Sequence, residues 1–242
     1  MQQKTAIIIG ASSGIGRALA KELVKNQYKV AILSRRVELL NELKAGNPSN
    51  YVAKYFDITD IANIDILLDN ITKELGSIDL LVISAGVGHS ITDKIVNFEL
   101  EKKVIDTNVM GFTKVVIWAY NYFIKQGKGH LVIISSVAGH RGSKNSPTYS
   151  ASKAYQMNFI EGLWHRSYKL KLPIIITDVR PGFVKTAMAK GDYIFWATSA
   201  ENAASQIYKA IRKKRKVIYV TKRWFIIALL LKILPNRLYK LG

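Results

Sequence analysis

Cysteine is absent from this sequence of 242 residues, and long apolar runs are absent as well. Without cysteine the protein can form no disulfide, thiolate metal site or cysteine nucleophile, as is common in a reducing compartment. The longest apolar run, residues 224–231, has eight residues, whereas a membrane-spanning helix needs about 20. The N-terminal apolar run, residues 6–11, is too short for a signal peptide, so we interpret it as a first β-strand.

Acidic residues are also scarce, because 17 Asp and Glu face 36 Lys and Arg, for a net charge of +19. About half of this excess lies in residues 201–242, where eleven basic residues accompany one acid, Glu201. Such a cluster suits a polyanion, either an anionic membrane surface or a nucleic acid, and it also suits a solvated face. A hydrophobic content of 49% indicates a folded globular core rather than disorder.

Seven short apolar runs alternate with helical patterns along the chain. They occupy residues 5–10, 29–34, 51–57, 78–86, 129–136, 172–182 and 216–220. Most of them are continuous rather than alternating, which is typical of strands buried on both faces of a parallel sheet. This order predicts a three-layer, doubly wound α/β Rossmann fold with a mostly or fully parallel sheet of about seven strands, in one domain over residues 1–221. Ligands of such folds bind beyond the carboxyl ends of the strands.

A glycine-rich turn, "GASSGIG", joins the first strand to the first helix. Gly10, Gly14 and Gly16 would let the backbone turn sharply and approach a pyrophosphate, which the N–H groups of the helix N-terminus would bind. Ser12 and Ser13 add hydroxyl donors. A purely structural turn is the alternative, and the strand-to-helix context favours nucleotide binding.

The end of the second strand carries two arginines, Arg35 and Arg36, about 20 residues after the glycines. An acid at this position would bind the adenosine ribose of NAD(H). Two guanidinium groups favour a 2′-phosphate instead, so we predict NADP(H) rather than NAD(H). The alternative is that both arginines are solvated residues at the start of the next helix.

Seven motifs follow one another in a recognisable order. They are "GASSGIG" (10–16), Asp57, "SAG" (84–86), Asn108, "ISS" (134–136), "YSASK" (149–153) and "RPGFVKTAM" (180–188). With these motifs the chain resembles the short-chain dehydrogenase/reductase family from about Lys4 to Val220. The resemblance implies an enzyme that interconverts a carbonyl and a secondary alcohol by hydride transfer with a nicotinamide dinucleotide.

The resemblance implies four catalytic residues. Tyr149 would be the general acid or base, and Lys153, four residues later on one helix face, would lower the pKa of Tyr149 and bind the nicotinamide ribose. Ser136 would orient the substrate carbonyl, with Ser135 as its competitor because adjacent strand residues point to opposite faces. Asn108 would hold a water molecule in a proton relay with Lys153.

The resemblance also implies a cofactor-binding set. Asp57 would contact the adenine, and Thr186 the cofactor amide or phosphates. The set comprises Gly10, Ser12, Ser13, Gly14, Ile15, Gly16, Arg35, Arg36, Asp57, Ile58, Ser84, Ala85, Gly86, Tyr149, Lys153, Pro181, Gly182, Val184 and Thr186. Ser84 replaces the asparagine that the family usually has at this position. We expect no metal site, and we expect His89, His140 and Arg141 on loops near the rim of the site.

The segment after "PGFVKT", residues 187–199, corresponds to the variable substrate lid of the family. Its Met188, Tyr193, Ile194, Phe195 and Trp196 predict an apolar substrate, with lipid-like, acyl or steroid molecules as candidates. Residues 222–242 form a basic and apolar tail, which we predict to be a C-terminal helix. Such a helix would lie on a membrane surface or pack against a neighbouring subunit.

These features lead to three further expectations. The resemblance implies a homodimer or homotetramer, and the absence of a signal peptide favours a cytoplasmic protein, peripheral on a membrane if the tail binds lipid. Nucleic-acid binding is not expected, because no base-reading module accompanies the basic tail. The main rival function is a catalytically silent dinucleotide-binding regulator that contacts partners through this tail.

Overall fold

A computed structural model describes residues 3–92, 94–186 and 195–239. The strands are β1 (Thr5–Ile9), β2 (Lys29–Ser34), β3 (Tyr51–Tyr55), β4 (Leu80–Ile83), β5 (Gly129–Ile134), β6 (Ile174–Pro181) and β7 (Val217–Val220). All seven pair in parallel, in the order β3-β2-β1-β4-β5-β6-β7. The predicted Rossmann fold is therefore confirmed, and each strand lies within its predicted apolar run.

Helices cover both faces of this sheet. The α-helices are α1 (Gly14–Lys25), α2 (Val37–Ala45), α3 (Ile64–Leu75), α4 (Phe98–Ile105), α5 (Phe112–Gln126), α6 (Pro147–Lys169), α7 (Ala200–Arg212), α8 (Trp224–Ile233) and α9 (Asn236–Tyr239). A π-helix, Asp106–Gly111, joins α4 to α5, and a 3₁₀-helix, Val137–His140, follows β5. The helical pattern at residues 109–127 did not reveal the π-helix, because apolar periodicity does not report which backbone hydrogen bonds form.

Alternate side chains of the strands pack into two separate apolar layers, one on each face of the sheet. On β1, Ile7 and Ile9 join the layer that contains residues of α3 and α5, whereas Ala6 and Ile8 join the layer that contains residues of α1 and α7. Successive side chains of a strand point to opposite faces, so a strand covered on both sides must be apolar throughout. This explains the continuous apolar runs in the sequence.

The crevice of the fold lies next to β1. This strand pairs with β2 on one side and with β4 on the other, so the strand order reverses direction here. Connections from the two sides diverge and leave open space beyond the carboxyl ends of β1 and β4. The glycine turn, residues 10–16, and the "SAG" stretch, residues 84–86, both lie at this edge.

In residues 222–239, the described part of the C-terminal tail, the chain forms two short helices instead of the predicted single one. Helix α8 ends before Leu234, and Pro235, which lacks an N–H donor, separates it from α9. Arg141 holds this junction, since its guanidinium donates to the carbonyl oxygen of Leu231 at 3.0 Å and also to that of Leu234. Within the described residues, none of the helices has the length and apolar character needed to span a membrane.

Candidate active site

The glycine turn brings the backbone of β1 close to the end of β4. Gly10 has φ +89°, and a Cβ atom on it would lie 2.5 Å from the backbone nitrogen of Ala85. The corresponding atom on Gly16 would lie 2.2 Å from the carbonyl oxygen of Gly10. The N–H of Ser84 donates to the carbonyl oxygen of Ile9 at 2.8 Å, so the two strands stay paired up to the turn. The turn therefore excludes side chains at both glycines.

The turn presents a positive surface. Helix α1 begins at Gly14 and directs its first N–H groups to this edge of the sheet, with Ser13 as its N-cap residue. Arg36, in the loop after β2, places Nη2 2.8 Å from both Ser12 Oγ and Ser13 Oγ. The side chain of Ile15 is partly buried and packs on the apolar layer below the turn. A guanidinium beside a helix N-terminus is a suitable arrangement for a phosphate group.

The second arginine has a different partner. Arg35 is largely exposed, and its Nη1 lies 3.9 Å from Oδ2 of Asp57. Oδ1 of Asp57 accepts hydrogen bonds from the N–H and the hydroxyl of Thr59 at 2.9 and 2.8 Å. The side chain of the adjacent Ile58 is buried. Of the two predicted phosphate ligands, Arg36 therefore contacts the glycine turn, and Arg35 contacts the acid after β3.

Asn108 fixes the stretch that follows β4. It is fully buried in the π-helix, where Oδ1 accepts from the N–H of Val87 at 2.9 Å and Nδ2 donates to the carbonyl oxygen of Val87 at 2.8 Å. A Cβ atom on Gly86 would lie 3.4 Å from Oδ1 of Asn108 and 3.5 Å from Nζ of Lys153. The backbone of Gly86 thus lies against both predicted catalytic residues.

The two serines after β5 point to different sides. Ser135 is buried, and its hydroxyl donates to the carboxylate of Asp178 at 2.5 Å. The Ser136 hydroxyl instead accepts from the N–H of Ala138 at 3.1 Å and donates to the carbonyl oxygen of Pro181 at 3.5 Å, and it lies near the hydroxyl of Tyr149. Burial raises the pKa of the Tyr149 hydroxyl, and the nearby hydroxyl of Ser136 offsets only part of this effect. Tyr149 is therefore a protonated donor at neutral pH.

Lys153 is buried beside Tyr149. Its Nζ lies 5.8 Å from the centroid of the Tyr149 ring, and it donates to the carbonyl oxygen of Ile134 at 3.0 Å and to Oε1 of Gln156 at 2.9 Å. Burial lowers the pKa of Lys153 to about 8, although the charge of Asp178 opposes this shift. The ammonium points to Ile134 and Gln156, so in this geometry burial prevails and the pKa of Tyr149 is raised rather than lowered as we expected.

The chain after β6 returns to the glycine turn. Pro181 ends β6, and Gly182 and the buried Val184 follow it along the crevice. Thr186 reaches the turn, because a Cβ atom on Gly14 would lie 3.0 Å from its Cγ2. The predicted cofactor residues of this segment therefore lie close to those of the turn.

An aromatic cluster lies next to Gly182. It consists of Phe183, Phe195, Trp196 and Trp224, whose contacting ring centroids lie 5.1–6.1 Å apart. Trp224 comes from α8, and its ring fills the space where a side chain on Gly182 would be. The other predicted lid residues, Met188, Tyr193 and Ile194, lie outside the described residues.

Each of the three residues expected near the rim of the site has a side-chain contact with another residue of the protein. Nε2 of His89 lies 3.0 Å from Oε1 of Glu101, and Arg141 supports the C-terminal helices. Nε2 of His140 lies 3.1 Å from the hydroxyl of Tyr219, and burial, together with the charge of Arg180, lowers the pKa of His140 to about 4. In residues 3–92, 94–186 and 195–239, no group of three or more histidine, aspartate and glutamate residues could hold a metal ion.

Two residues that the sequence did not indicate contact this site. Gln156 is almost fully buried and bridges Lys153 to Asn108, since its Nε2 donates to the carbonyl oxygen of Asn108 at 2.9 Å. Gly88 lies against Tyr149, because a Cβ atom on it would be 2.7 Å from Cδ2 of the ring. The spacing of three between Lys153 and Gln156 was the available signal, as such residues share a helix face.

The arrangement brings a proton donor and a buried ammonium to one crevice. The hydroxyl of Ser136 lies near that of Tyr149, Lys153 lies beside the tyrosine ring, and Gly86 connects this group to the end of β4. A carbonyl oxygen placed near the two hydroxyls would accept a hydrogen bond from each and could be protonated by the tyrosine.

Comparisons with known proteins agree with this geometry. A family model described as short chain dehydrogenase matches residues 4–193. An uncharacterized oxidoreductase of Staphylococcus epidermidis is 32% identical over 195 residues, which cover 79% of this chain and 82% of the relative.

Two solved structures have the same fold. A short chain dehydrogenase/reductase from Burkholderia phymatum in complex with NAD has a TM-score of 0.85 at 22% identity and covers 95% of this chain and 92% of its own. ElxO with NADP bound has a TM-score of 0.81 at 25% identity, with 90% of this chain and 97% of its own covered. The match of the family model over most of the chain and the identity to the relative show that this protein belongs to the short-chain dehydrogenase/reductase family of oxidoreductases.

Proposed function

We propose that this protein interconverts a carbonyl and a secondary alcohol on an apolar substrate, with NADP(H) as the hydride carrier. The observation that carries the proposal is that the hydroxyls of Ser136 and Tyr149 lie near each other beside the buried Lys153, at the crevice that the glycine turn borders. A dinucleotide-binding regulator would need the turn alone, so this set of side chains favours an enzyme.

Different residues of the chain would bind the substrate oxygen and transfer the proton. The bound nicotinamide supplies or accepts the hydride. Ser136 would hold the substrate oxygen, and Tyr149 would donate a proton to it in reduction or remove one in oxidation. The raised pKa of Tyr149 keeps it protonated at neutral pH, which suits the reductive direction. Lys153, with a pKa of about 8, would be mostly charged there and would stabilise developing negative charge on the tyrosine oxygen.

The residues around the glycine turn fit a dinucleotide. The turn excludes side chains at Gly10 and Gly16, and the start of α1 offers free N–H groups to a pyrophosphate. Arg36 supports the choice of NADP(H), because its guanidinium lies at the turn, where it could bind a 2′-phosphate. The similar structures, one with NAD and one with NADP, are consistent with either dinucleotide.

Replacing Arg36 with alanine tests the cofactor assignment. A charge-assisted hydrogen bond contributes about 1.5–3 kcal/mol, so we expect kcat/KM with NADPH to fall by about 10-fold to 150-fold, while the value with NADH changes little. The measurement is a screen of ketones, aldehydes and acyl-chain carbonyls with each cofactor. The absorbance of the reduced nicotinamide reports the rate.

The matched control is Arg166→Ala, which removes an exposed arginine from α6 and should leave both rates unchanged. A wild-type protein that uses NADH faster than NADPH would contradict the assignment to NADP(H). A protein that binds the dinucleotide but turns over none of the screened carbonyls would favour the regulator instead.

The aromatic cluster supports an apolar substrate. Phe183, Phe195, Trp196 and Trp224 form an apolar wall next to Gly182, at the predicted substrate end of the crevice. Because Trp224 belongs to α8, this wall connects the candidate site to the C-terminal helix. Lipid-like molecules fit both features, and faster reduction of long-chain than of short-chain carbonyls in the same screen would support them.

The exposed face of α8 fits an anionic lipid surface, to which we propose that it binds. The exposed apolar residues of this helix are Phe225, Ile226, Leu229, Leu230 and Ile233, and only Trp224 and Ala228 of the helix are buried. Lys222, Arg223, Lys232 and Arg237 flank the face, and residues 202–242 contain no acid. Two copies paired through this face would bring these positive charges together, whereas anionic lipid would neutralise them.

Vesicle binding tests this surface. The protein should sediment with vesicles of phosphatidylcholine and phosphatidylserine, and less with phosphatidylcholine alone or at high salt. The triple variant Ile226→Ser, Leu230→Ser, Ile233→Ser should bind the mixed vesicles more than about tenfold more weakly, because each substitution removes apolar contact. Ile66→Ser, on the exposed face of α3, is the matched control and should bind like the wild type.

Equal lipid binding by the triple variant would contradict the proposal. Light scattering without lipid tests the other occupant, a second copy of the chain, because loss of oligomers in the triple variant would identify α8 as a subunit interface. Members of the family that this chain resembles pair through the helices that correspond to α5 and α6. We therefore expect the predicted homodimer or homotetramer in both the wild type and the triple variant.

A further inference from the structure

We propose that Gln156 is a positioning residue that holds Lys153 in place of a relay water, by linking it directly to the main-chain carbonyl of Asn108. The inference rests on the proposed function for its catalytic meaning. The hydrogen-bonded link through Gln156 can be tested in the cofactor-free protein, so its measurement does not require turnover.

The hydrogen bonds of Gln156 use both ends of its amide. Oε1 accepts from Nζ of Lys153 at 2.9 Å, and Nε2 donates to the carbonyl oxygen of Asn108 at 2.9 Å. Gln156 is only 1% exposed, Lys153 is 4% exposed, and Asn108 is fully buried. A buried amide costs stability unless both of its ends are bonded, so this geometry is well defined and sets the position of the ammonium.

The backbone around Asn108 supports the other end of the link between Lys153 and Asn108. Asn108 lies within the π-helix Asp106–Gly111, a widened turn of the kind that often occurs at functional sites. Its side chain is fully used by the N–H and carbonyl of Val87 and by the hydroxyl of Ser152. The amide of Asn108 therefore secures the loop after β4, and its main-chain carbonyl is the group that connects to Lys153 through Gln156.

The chemistry of this link differs from that of a water relay. A water molecule can accept one proton while it releases another, whereas a neutral carboxamide donates and accepts hydrogen bonds without transferring a proton. Gln156 would thus fix the ammonium and stabilise its charge but would not conduct protons from Asn108 to Lys153. Its oxygen opposes the effect of burial, because an acceptor favours the charged form of lysine.

Among the described residues, the other titratable groups near Lys153 come from two elements. Tyr149 faces it from the same helix, α6, and Asp178 acts on it from β6. The π-helix and the end of β4 present the neutral Asn108 and Gly86. A charge placed at position 156 would therefore act on Lys153 more directly than these existing groups.

Two substitutions shift the Lys153 titration in opposite directions if the link exists. Gln156→Leu removes the acceptor and should lower the pKa of Lys153 by roughly one unit, since a hydrogen bond to a charged group is worth about 1.5–3 kcal/mol. Gln156→Glu keeps the shape and adds a negative charge, which should raise the pKa of Lys153 by about one unit or more. NMR of ¹³C-labelled lysine in the cofactor-free protein measures both values, with Lys153→Met to assign the signal.

Asn158→Asp is the matched control, because it adds a charge at an exposed position of the same helix and should leave the titration unshifted. A Lys153 pKa that stays the same in Gln156→Glu, or that moves in the same direction in both variants, would overturn the proposal. The isosteric Gln156→Glu variant decides the question alone if the leucine variant does not fold.

Turnover supplies a second measurement. The alkaline limb of the kcat/KM profile for carbonyl reduction should move to lower pH in Gln156→Leu and to higher pH in Gln156→Glu, whereas a purely structural role would lower the rate without moving the limb. If the wild type reduces no carbonyl while the NMR shifts occur, the proposed function fails and the link stands. If the wild type is active and the titrations do not shift, the link alone fails.

Discussion

Tyr149→Phe should lower carbonyl turnover by about 100-fold to 10,000-fold, the range that a positioned general acid typically contributes. The hydroxyl is the only group removed, and the ring that packs against Gly88 remains. Binding of NADPH should be retained, because the substitution leaves the glycine turn and the Arg36 guanidinium, the proposed phosphate-binding groups, unchanged. Initial rates measure the first effect, and fluorescence titration with NADPH measures the second.

Tyr155→Phe is the matched control for this experiment. Tyr155 lies on the same helix, and its hydroxyl is 2.8 Å from Oγ1 of Thr113, in an exposed position. This variant loses the same atom and one hydrogen bond, yet it should retain wild-type turnover. Activity of Tyr149→Phe within about threefold of the wild type would reject the catalytic assignment, whatever the identity of the substrate.

Gly10→Ala should destabilise the protein and remove its cofactor binding together. The new Cβ atom would lie 2.5 Å from the backbone nitrogen of Ala85, and neither β1 nor β4 can yield without breaking its pairing. The φ of +89° adds backbone strain of about 1–2 kcal/mol for a residue with a Cβ atom. We expect the free energy of unfolding to fall by more than about 2 kcal/mol and NADPH affinity to fall by more than about tenfold. Urea denaturation and fluorescence titration provide the two values.

Gly76→Ala separates backbone strain from collision. Gly76 has a similar φ, +83°, at the end of α3, but a Cβ atom on it would meet nothing within 4 Å. This control should lose only about 1 kcal/mol of stability and should bind NADPH normally. Equal losses in the two variants would show that strain, and not the close approach of β1 to β4, makes glycine necessary at position 10.

The secondary structure was largely predictable because it depends on local patterns. Strands buried on both faces must be apolar at every position, so β1 and β2 are evident as "TAIII" and "KVAILS". The glycine turn was equally evident, because a tight strand-to-helix connection admits few residue types. The π-helix around Asn108 was not predictable, since the same residues could continue an ordinary α-helix.

The sequence limited the possible contacts of individual side chains but did not determine which of them form. Strand alternation allowed either Ser135 or Ser136 to face the crevice, and the structure directs Ser135 to Asp178 and Ser136 to Tyr149. Arg141 was expected near the rim of the site, and only the structure shows that it donates to carbonyl oxygens at the end of α8. The contacts of Ser135 and Arg141 both involve groups more than 40 residues away in the chain.

The sequence by itself determined the order of strands and helices, the glycine turn and the motifs that identify the family, because each depends on residues close together in the chain. Only the tertiary structure decided that Arg36 reaches Ser12 and Ser13, that Trp224 packs beside Gly182, and that Gln156 joins Lys153 to Asn108. These contacts join separate elements that the sheet brings to one edge, and burial sets the pKa of Lys153 and Tyr149 there. Local patterns carry no record of such distances, so the electrostatics of the site emerge only when the chain is folded.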